Sequence, residues 1–380
     1  MKILIIRNFP SYMSVTNNTY NIQELGLAKA LTRKGHQCDI VFWTDKDEED
    51  FVVPVDSDRI INIYYRKGIT KLKNTVFNGC DVLFEQYDVL QPCEYNQIQS
   101  WMLAKRYPTK TVIYHGPYYS AFNKRYNLMC KVFDLFFVKR YIKLGTKFIV
   151  KSNMAKQFLV SKGINVSNIK LAGVGIDLEM LSAPDNECND LVYKRIHEDE
   201  SNLKFLYIGR LEERRNINFL FEVFAKVYEK YPTAKLYVIG KGTEEYVSDV
   251  FQYAEELKIR DAIVYQERME QKYLADVYTN SDFFLLPTEY EIFGMVLLEA
   301  MYYKNVVVTT VNGGSSTLIA NGIHGIVHDE LNADVWSKTI CELCDDHSKK
   351  EEMKMHAHQI ISQSFTWDSL VDCFIEHYSK

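Results

Sequence analysis

The chain has 380 residues, 47% apolar and 13% aromatic, which supplies sizeable cores and excludes disorder as its overall state. Its 45 basic and 50 acidic side chains leave a formal charge of −5. That average hides a division, because residues 1–180 carry 25 basic against 16 acidic side chains, net +9, and the other 200 carry 20 against 34, net −14. At about 100–200 residues per domain, the length predicts two or three domains. No apolar run approaches the ~20 residues that span a bilayer. The opening run at residues 3–6 is shorter than the ~7–15 residues of a signal-peptide core, so a cytoplasmic protein is expected.

In chain order, residues 3–6 read as a first strand and residues 20–34 as a helix, with Ile22, Leu25, Ala28 and Leu31 at spacings of three and Gly35 closing it. Residues 39–43, 60–65, 81–85 and 111–114 read as further strands, the last ending at His115-Gly116-Pro117. The second half repeats this rhythm: strands at 204–208, 235–239, 262–265, 282–286 and 305–309, helices at 218–230, 244–257 and 295–303. Buried-type strands alternating with amphipathic helices predict an α/β protein of two doubly wound parallel-sheet domains. Ligands of such folds bind outside the carboxyl ends of the strands. Those ends are Arg7, Glu85, His115, Gly209, Gly240 and Pro287, and a cleft lined by both domains is the expected site. Eight cysteines are sparse. Cys341 and Cys344 make one CxxC in an acidic helical segment, short of the roughly four ligands of a zinc site, so reduced thiols and no metal are expected.

Three strand ends carry candidate chemistry. After residue 208 comes Gly209-Arg210-Leu211-Glu212-Glu213-Arg214-Arg215-Asn216, where Arg210 and Arg215 could converge on phosphate oxygens or belong to a solvated charge cluster. Gly240-Lys241-Gly242 is a GxG without the third glycine of a dinucleotide fingerprint; it marks a close backbone approach to a ligand or to the next helix. Most informative is Pro287-Thr288-Glu289-Tyr290-Glu291-Ile292-Phe293-Gly294-Met295, a glycine turn that leads into a fresh helix N-terminus suited to a phosphate. Glu299 sits inside that apolar helix, where a carboxylate needs a partner. Eight residues at ~1.5 Å rise would separate Glu291 and Glu299 by about 12 Å along a helix, beyond the ~5–9.5 Å of paired glycosidase carboxylates. A large ligand touched at two points fits better.

Together these residues resemble the GT-B glycosyltransferases of family 4. The resemblance rests on Gly209-Arg210-Leu211 with a basic residue five after the arginine, on Gly240-x-Gly242, and on Glu291 and Glu299 with seven residues between them. It extends to Leu27-Ala28-Lys29-Ala30-Leu31 with Gly35-His36, the His115-Gly116 strand end, Gly175-Ile176-Asp177, Gly313-Gly314, Asn321-Gly322, Gly325 and Phe365-Thr366-Trp367. It implies two Rossmann-like domains facing a central cleft: residues 1–173 with a crossover helix at 362–380 for the acceptor, and residues 174–361 for the donor. It also implies a retaining, metal-independent transfer from a nucleotide diphosphate sugar, first a UDP-sugar, to a glycan or lipid-linked acceptor in polysaccharide or glycoconjugate synthesis.

By the same resemblance, Arg210, Arg215 and the N–H groups near Phe293, Gly294 and Met295 would hold the diphosphate. Gly240 and Gly242 would line the donor site, Arg268 would pack on the base, and Glu299 would accept from the ribose hydroxyls. Glu291 and His115 would attend the transferred sugar as the catalytic residues, although His115 also reads as a core histidine. Three positions depart from the family pattern: Asn18-Thr19 stands for a Gly-Gly loop, Arg215-Asn216 for lysine and glycine, and Thr317 for a glutamate. The lost glycines keep a second class open, a catalytically weak partner subunit. A soluble enzyme acting on a small metabolite is a third.

Acceptor recognition would fall to the basic half. Residues 120–151 contain Lys124, Arg125, Lys131, Lys139, Arg140, Lys143, Lys147 and Lys151 against Asp134 alone, net +7, interleaved with seven aromatics, Phe122, Tyr126, Phe133, Phe136, Phe137, Tyr141 and Phe148. This pattern suits an anionic membrane surface on the inner face of the membrane, or the solvated face of a core helix. No motif for nucleic acid appears.

Overall fold

The computed structural model describes residues 1–9, 22–71, 74–181, 190–200 and 203–380; Asn18 and Thr19 lie outside them. The chain forms two compact units, Met1–Gly175 with Thr366–Lys380, and Ile176–Phe365.

In the first unit the strands are β1 (Lys2–Arg7), β2 (Gln37–Thr44), β3 (Phe51–Pro54), β4 (Ile60–Lys71), β5 (Asn74–Phe77), β6 (Val89–Pro92), β7 (Val112–His115), β8 (Lys147–Val150) and β9 (Ile169–Leu171). The order β3-β4-β2-β1-β6 forms one sheet, with β5 antiparallel to β4, and β7-β8-β9 forms a parallel sheet joined to β6 by the bridges Leu90–Thr111 and Cys93–Tyr114. The helices are α1 (Gln23–Arg33), α2 (Asp81–Glu85), α3 (Ile98–Arg106), α4 (Lys124–Leu144) and α5 (Asn153–Ser161). β1 is buried through Ile3, Leu4, Ile5 and Ile6, as a central parallel strand covered on both faces requires. Gly35 takes φ +84° after α1, and the amides of Gly35 and His36 donate to Thr32 and Leu31, the hydrogen bonds of a Schellman close.

One strand expectation is overturned. Residues 81–85 form α2, in which only Phe84 is buried, and the strand is β6, four residues further on and buried throughout. Three apolar residues between Asp81 and Glu85 do not by themselves distinguish a strand from a helical turn. The carboxyl end in this part of the sheet is therefore Pro92, not Glu85.

The second unit contains α6 (Leu191–Glu198), β10 (Lys204–Ile208), α7 (Ile217–Lys230), β11 (Lys235–Ile239), α8 (Glu244–Glu256), β12 (Ile263–Gln266), α9 (Gln271–Thr279), β13 (Phe283–Leu286), α10 (Met295–Tyr302), β14 (Val306–Thr310), α11 (Ser315–Leu318), β15 (Ile326–His328), α12 (Ala333–Asp345) and α13 (His347–Ser364). Its sheet is parallel throughout in the order β12-β11-β10-β13-β14-β15. This is the doubly wound order 3-2-1-4-5-6.

The last helix, α14 (Trp367–Ser379), packs on α1 in the first unit. Trp367 is buried with Leu370, Val371, Phe374 and Tyr378. Two glycines make room for it: a Cβ on Gly26 would fall 2.2 Å from the indole Nε1, and one on Gly175 2.6 Å from the Trp367 backbone N. Exposed ion pairs Arg33–Asp368 (3.0 Å) and Lys34–Asp372 (2.9 Å) run along the seam; each contributes at most about 1 kcal/mol, so apolar burial dominates.

Candidate donor site and its first-unit counterparts

Strand order in the second unit reverses between β10 and β13, so the loops leaving these two strands diverge and open a crevice at their carboxyl ends. Gly209–Arg215 occupies one side and Pro287–Gly294 the other. Three side chains tie the sides together. Arg214 Nη1 donates to the Tyr290 carbonyl at 2.9 Å, Arg215 Nη1 to Glu291 Oε2 at 2.6 Å, and Asn216 Nδ2 to the Pro287 carbonyl at 2.8 Å. Asn216 has φ +53° at the start of α7, and asparagine tolerates this left-handed conformation better than most non-glycine residues. The departure from glycine is thus accommodated locally. Arg214 escaped the sequence reading because the cluster gives no sign of which arginine turns inward to bind backbone.

Arg215 is nearly buried, and its Nε is shielded without a hydrogen-bond acceptor among the described residues. That nitrogen faces Glu212 Oε1 at 4.0 Å, so the guanidinium lies between the carboxylates of Glu212 and Glu291. Arg210 follows Gly209 directly, is exposed, and forms no ion pair among the described residues. Opposite them, Gly294 (φ +76°) starts α10, with Phe293 buried and Met295 half-buried. The loop after β14 braces this turn: Gly313 N donates to the Glu291 carbonyl at 2.9 Å, and a Cβ on Gly314 would lie 1.8 Å from the Phe293 carbonyl oxygen. Glu291 precedes α10, so the two glutamates do not share one helix and the 12 Å helical spacing does not apply.

Glu299 is 4% exposed and accepts from Gln271 Nε2 (3.0 Å) and Tyr278 Oη (2.9 Å). Burial pushes its carboxyl up to about 7, with the two hydrogen bonds opposing the shift. Gly240 and Gly242 answer the question of what approaches them: a Cβ on Gly240 would meet the Gly209 carbonyl oxygen at 1.7 Å, and one on Gly242 the Leu211 carbonyl oxygen at 2.6 Å. Each glycine is required by backbone packing between neighbouring loops. Arg268 is exposed after β12, its carbonyl accepting from Gln266 Nε2 at 2.7 Å.

In the first unit, His115 ends β7 and is fully buried. Its Nδ1 lies 2.7 Å from Glu94 Oε2, which also accepts from Gly116 N at 3.1 Å. The ring packs on Phe158 and against the edge of Tyr95, and Nε2 has no hydrogen-bond partner among the described residues. Burial alone would raise the Glu94 carboxyl, but the hydrogen bond from His115 and the charges of His115 and Lys151 outweigh it and hold the group below the ordinary range. Glu94 has φ +62°, a strained position of the kind concentrated at functional sites. The sequence reading missed it because the preceding strand was misplaced; the apolar pair Val89-Leu90 leading to Pro92 was the available signal.

Lys124, Arg125, Lys131, Lys139, Arg140 and Lys143 are all exposed along α4, and none pairs with a carboxylate among the described residues. Asp134, the one acidic residue of the helix, is taken by Lys162. No helix among the described residues is long and apolar enough to cross a membrane.

Residues 192–359 match the family model described as Glycosyl transferases group 1. Among curated proteins, the chain is 27% identical over 176 residues to the uncharacterized glycosyltransferase MJ1607 of Methanocaldococcus jannaschii, covering 46% of this chain and 44% of that protein. It is 24% identical over 227 residues to a D-inositol 3-phosphate glycosyltransferase of Corynebacterium urealyticum, covering 58% and 53%. The chain spans about half the length of the curated relatives it matches. Over its full length it superposes on Anabaena Alr3699/HepE in complex with UDP, with TM-score 0.75, 15% identity and 100% coverage of both chains. An E. coli trehalose-6-phosphate protein bound with UDP-2-fluoro glucose gives TM-score 0.72 at 12% identity, covering 100% and 99%. Residues 192–359 are thus similar to the glycosyl transferases group 1 family, and the two parallel-sheet units have the GT-B fold.

Proposed function

We propose that the protein is a retaining glycosyltransferase that takes a sugar from a nucleotide diphosphate donor, first a UDP-sugar, and needs no metal. The observation that carries this reading is the switch-point site, where exposed Arg210, Arg215 bonded to Glu291, and the α10 N-terminus stand at the carboxyl ends of β10 and β13, with the Glu299 carboxylate buried in α10. Departure of a nucleoside diphosphate builds negative charge on the leaving phosphate. Fixed guanidinium groups and helix N–H groups stabilise that charge more in the transition state than in the ground state. Glu299 accepts from the ribose hydroxyls and Glu291 from hydroxyls of the transferred sugar. His115, held through Nδ1 by Glu94, attends the transferred sugar as a catalytic residue. Domains 1–173 with 362–380 and 174–361 divide acceptor from donor binding, Gly240, Gly242 and Arg268 bordering the nucleotide. The related structures that hold UDP and UDP-glucose support a uridine donor.

The acceptor is a glycan or lipid-linked molecule of polysaccharide or glycoconjugate synthesis, with the cationic face of α4 resting on the anionic inner face of the membrane. A second reading, transfer to a small phosphorylated metabolite, is favoured by relatives named D-inositol 3-phosphate glycosyltransferase and mannosylfructose-phosphate synthase. Thermal shift with UDP-, GDP-, ADP- and dTDP-glucose tests the donor. At a hundred times Kd, a true donor stabilises the fold by about 2.7 kcal/mol and raises the midpoint of the second unit by roughly 5–10 °C. UDP-glucose is expected to do so, and less in Arg210→Ala; no shift with any of the four would overturn the reading.

A further inference from the structure

On the first unit, a groove of about 530 Å³ runs between α4, the paired ends of β4 and β5, and the start of α3. Ile69, Val76, Ile98, Leu128, Val132 and Phe136 line it. Four of these, Ile69, Leu128, Val132 and Phe136, are between 54% and 63% exposed. A contiguous apolar slot open to water is unusual on a soluble surface and marks a binding site.

Charge indicates the occupant. On α4, residues at spacings of three, four and seven share one stripe. Arg125 stands on that stripe one turn before Leu128 and Met129, and Lys139 and Arg140 stand one turn after Phe136. Arg140 lies over the rings of Trp101 and Phe137, 6.0 Å from each centroid, so its guanidinium is held at that end of the groove. Lys71 adds a cation from β4. None of these four cations pairs with a carboxylate among the described residues. An apolar channel with cations at its ends fits an amphiphile with a hydrocarbon chain and an anionic head. Burial of the chain contributes about 0.8 kcal/mol per methylene, and each nearby cation about 1 kcal/mol against an anionic surface.

We infer that this groove binds one hydrocarbon chain of an anionic, phosphate-bearing lipid, with the phosphate held at the Lys139–Arg140 end, where Arg140 is fixed over Trp101 and Phe137. The inference rests on the membrane reading of the same helix and is independent of sugar transfer. It gives α4 a specific lipid subsite in place of a diffuse attraction to charge.

Calorimetric titration of the full chain with dodecyl phosphate below its critical micelle concentration tests it. Saturable one-to-one binding is expected. Val132→Asp, at a half-exposed position in the groove, should weaken it at least tenfold without lowering the thermal midpoint. Leu135→Asp places the same charge on α4 outside the groove, at a residue 76% exposed, and should leave the affinity within twofold. The inference is overturned by absent or unsaturable binding, by equal loss in both variants, or by inorganic phosphate binding as tightly as dodecyl phosphate. It is also overturned if light scattering shows self-association that Val132→Asp abolishes, because the groove would then belong to a second copy. UDP-glucose titrated into the same samples separates the two readings. Retained nucleotide binding without dodecyl phosphate binding sinks only the lipid site, and the converse sinks only the donor site.

Discussion

Glu299 shows how one buried carboxylate links the second unit's stability to its chemistry. With its folded value near 7 and an ordinary value of 4.5, the folded state holds the proton more tightly than the unfolded state. Stability is therefore lost as pH rises from about 4.5 to 7, by roughly 3 kcal/mol once the group is ionised. Glu299→Gln should remove that slope: its thermal midpoint, relative to the parent, should climb between pH 5 and pH 8. Donor affinity runs the other way, because a ribose hydroxyl donates more strongly to an ionised carboxylate than to the carbonyl oxygen of a protonated acid. Between pH 8 and pH 6 the affinity for UDP-glucose should fall about tenfold in the parent and stay flat, though weaker, in Glu299→Gln. Calorimetry across that range checks both, and a flat parent profile would reject the role given to Glu299.

At the scale of elements, α10 is placed less by its own sequence than by the loop that follows β14. Helix propensity would let these eight residues start a position early or late, and the Gly313-Gly314 backbone, packed on residues 291–293, fixes where the turn begins. Gly314→Ala puts a methyl group where a carbonyl oxygen already sits. Overpacking of this kind costs about 1–3 kcal/mol. The loop must shift, so Gly314→Ala should lower the thermal midpoint of the second unit by several degrees and weaken UDP-glucose binding together; a variant with parental stability and affinity would show that the brace is dispensable. The contrasting case is α2. The second-unit strands β10 to β14 were legible because each is a continuous apolar run bounded by turn residues, whereas the three residues of β15 were too few to read. Residues 81–85 carry too few apolar groups to declare a period, and only pairing of β6 with β1 reveals which nearby segment enters the sheet.

For the whole molecule, the charge division survives the true chain path. Met1–Gly175 with Thr366–Lys380 carries 26 basic against 17 acidic residues, net +9, and Ile176–Phe365 carries 19 against 33, net −14. The basic surplus is concentrated on α4, and the acidic unit keeps Arg210 and Arg215 at the switch point. The chain end is structural. Trp367→Ala should cost the first unit about 3–5 kcal/mol, because the indole fills a space that Gly26 and Gly175 leave open. Denaturant unfolding followed by hydrogen exchange should show the loss in α1 and β9 before it shows in β10–β14; uniform loss in both units would contradict this.

Local order in the sequence determined the parallel strands of the second unit, the glycine turn before α10 and the charged residues at the strand ends, because apolar periodicity and turn chemistry act over a few residues. Tertiary structure alone decided which arginine binds backbone and which bonds Glu291, that Glu94 supports His115, and that the exposed face of α4 borders an apolar groove. Each of these depends on residues distant in sequence meeting at a sheet edge or between loops, and pairings of that kind leave no period in the sequence.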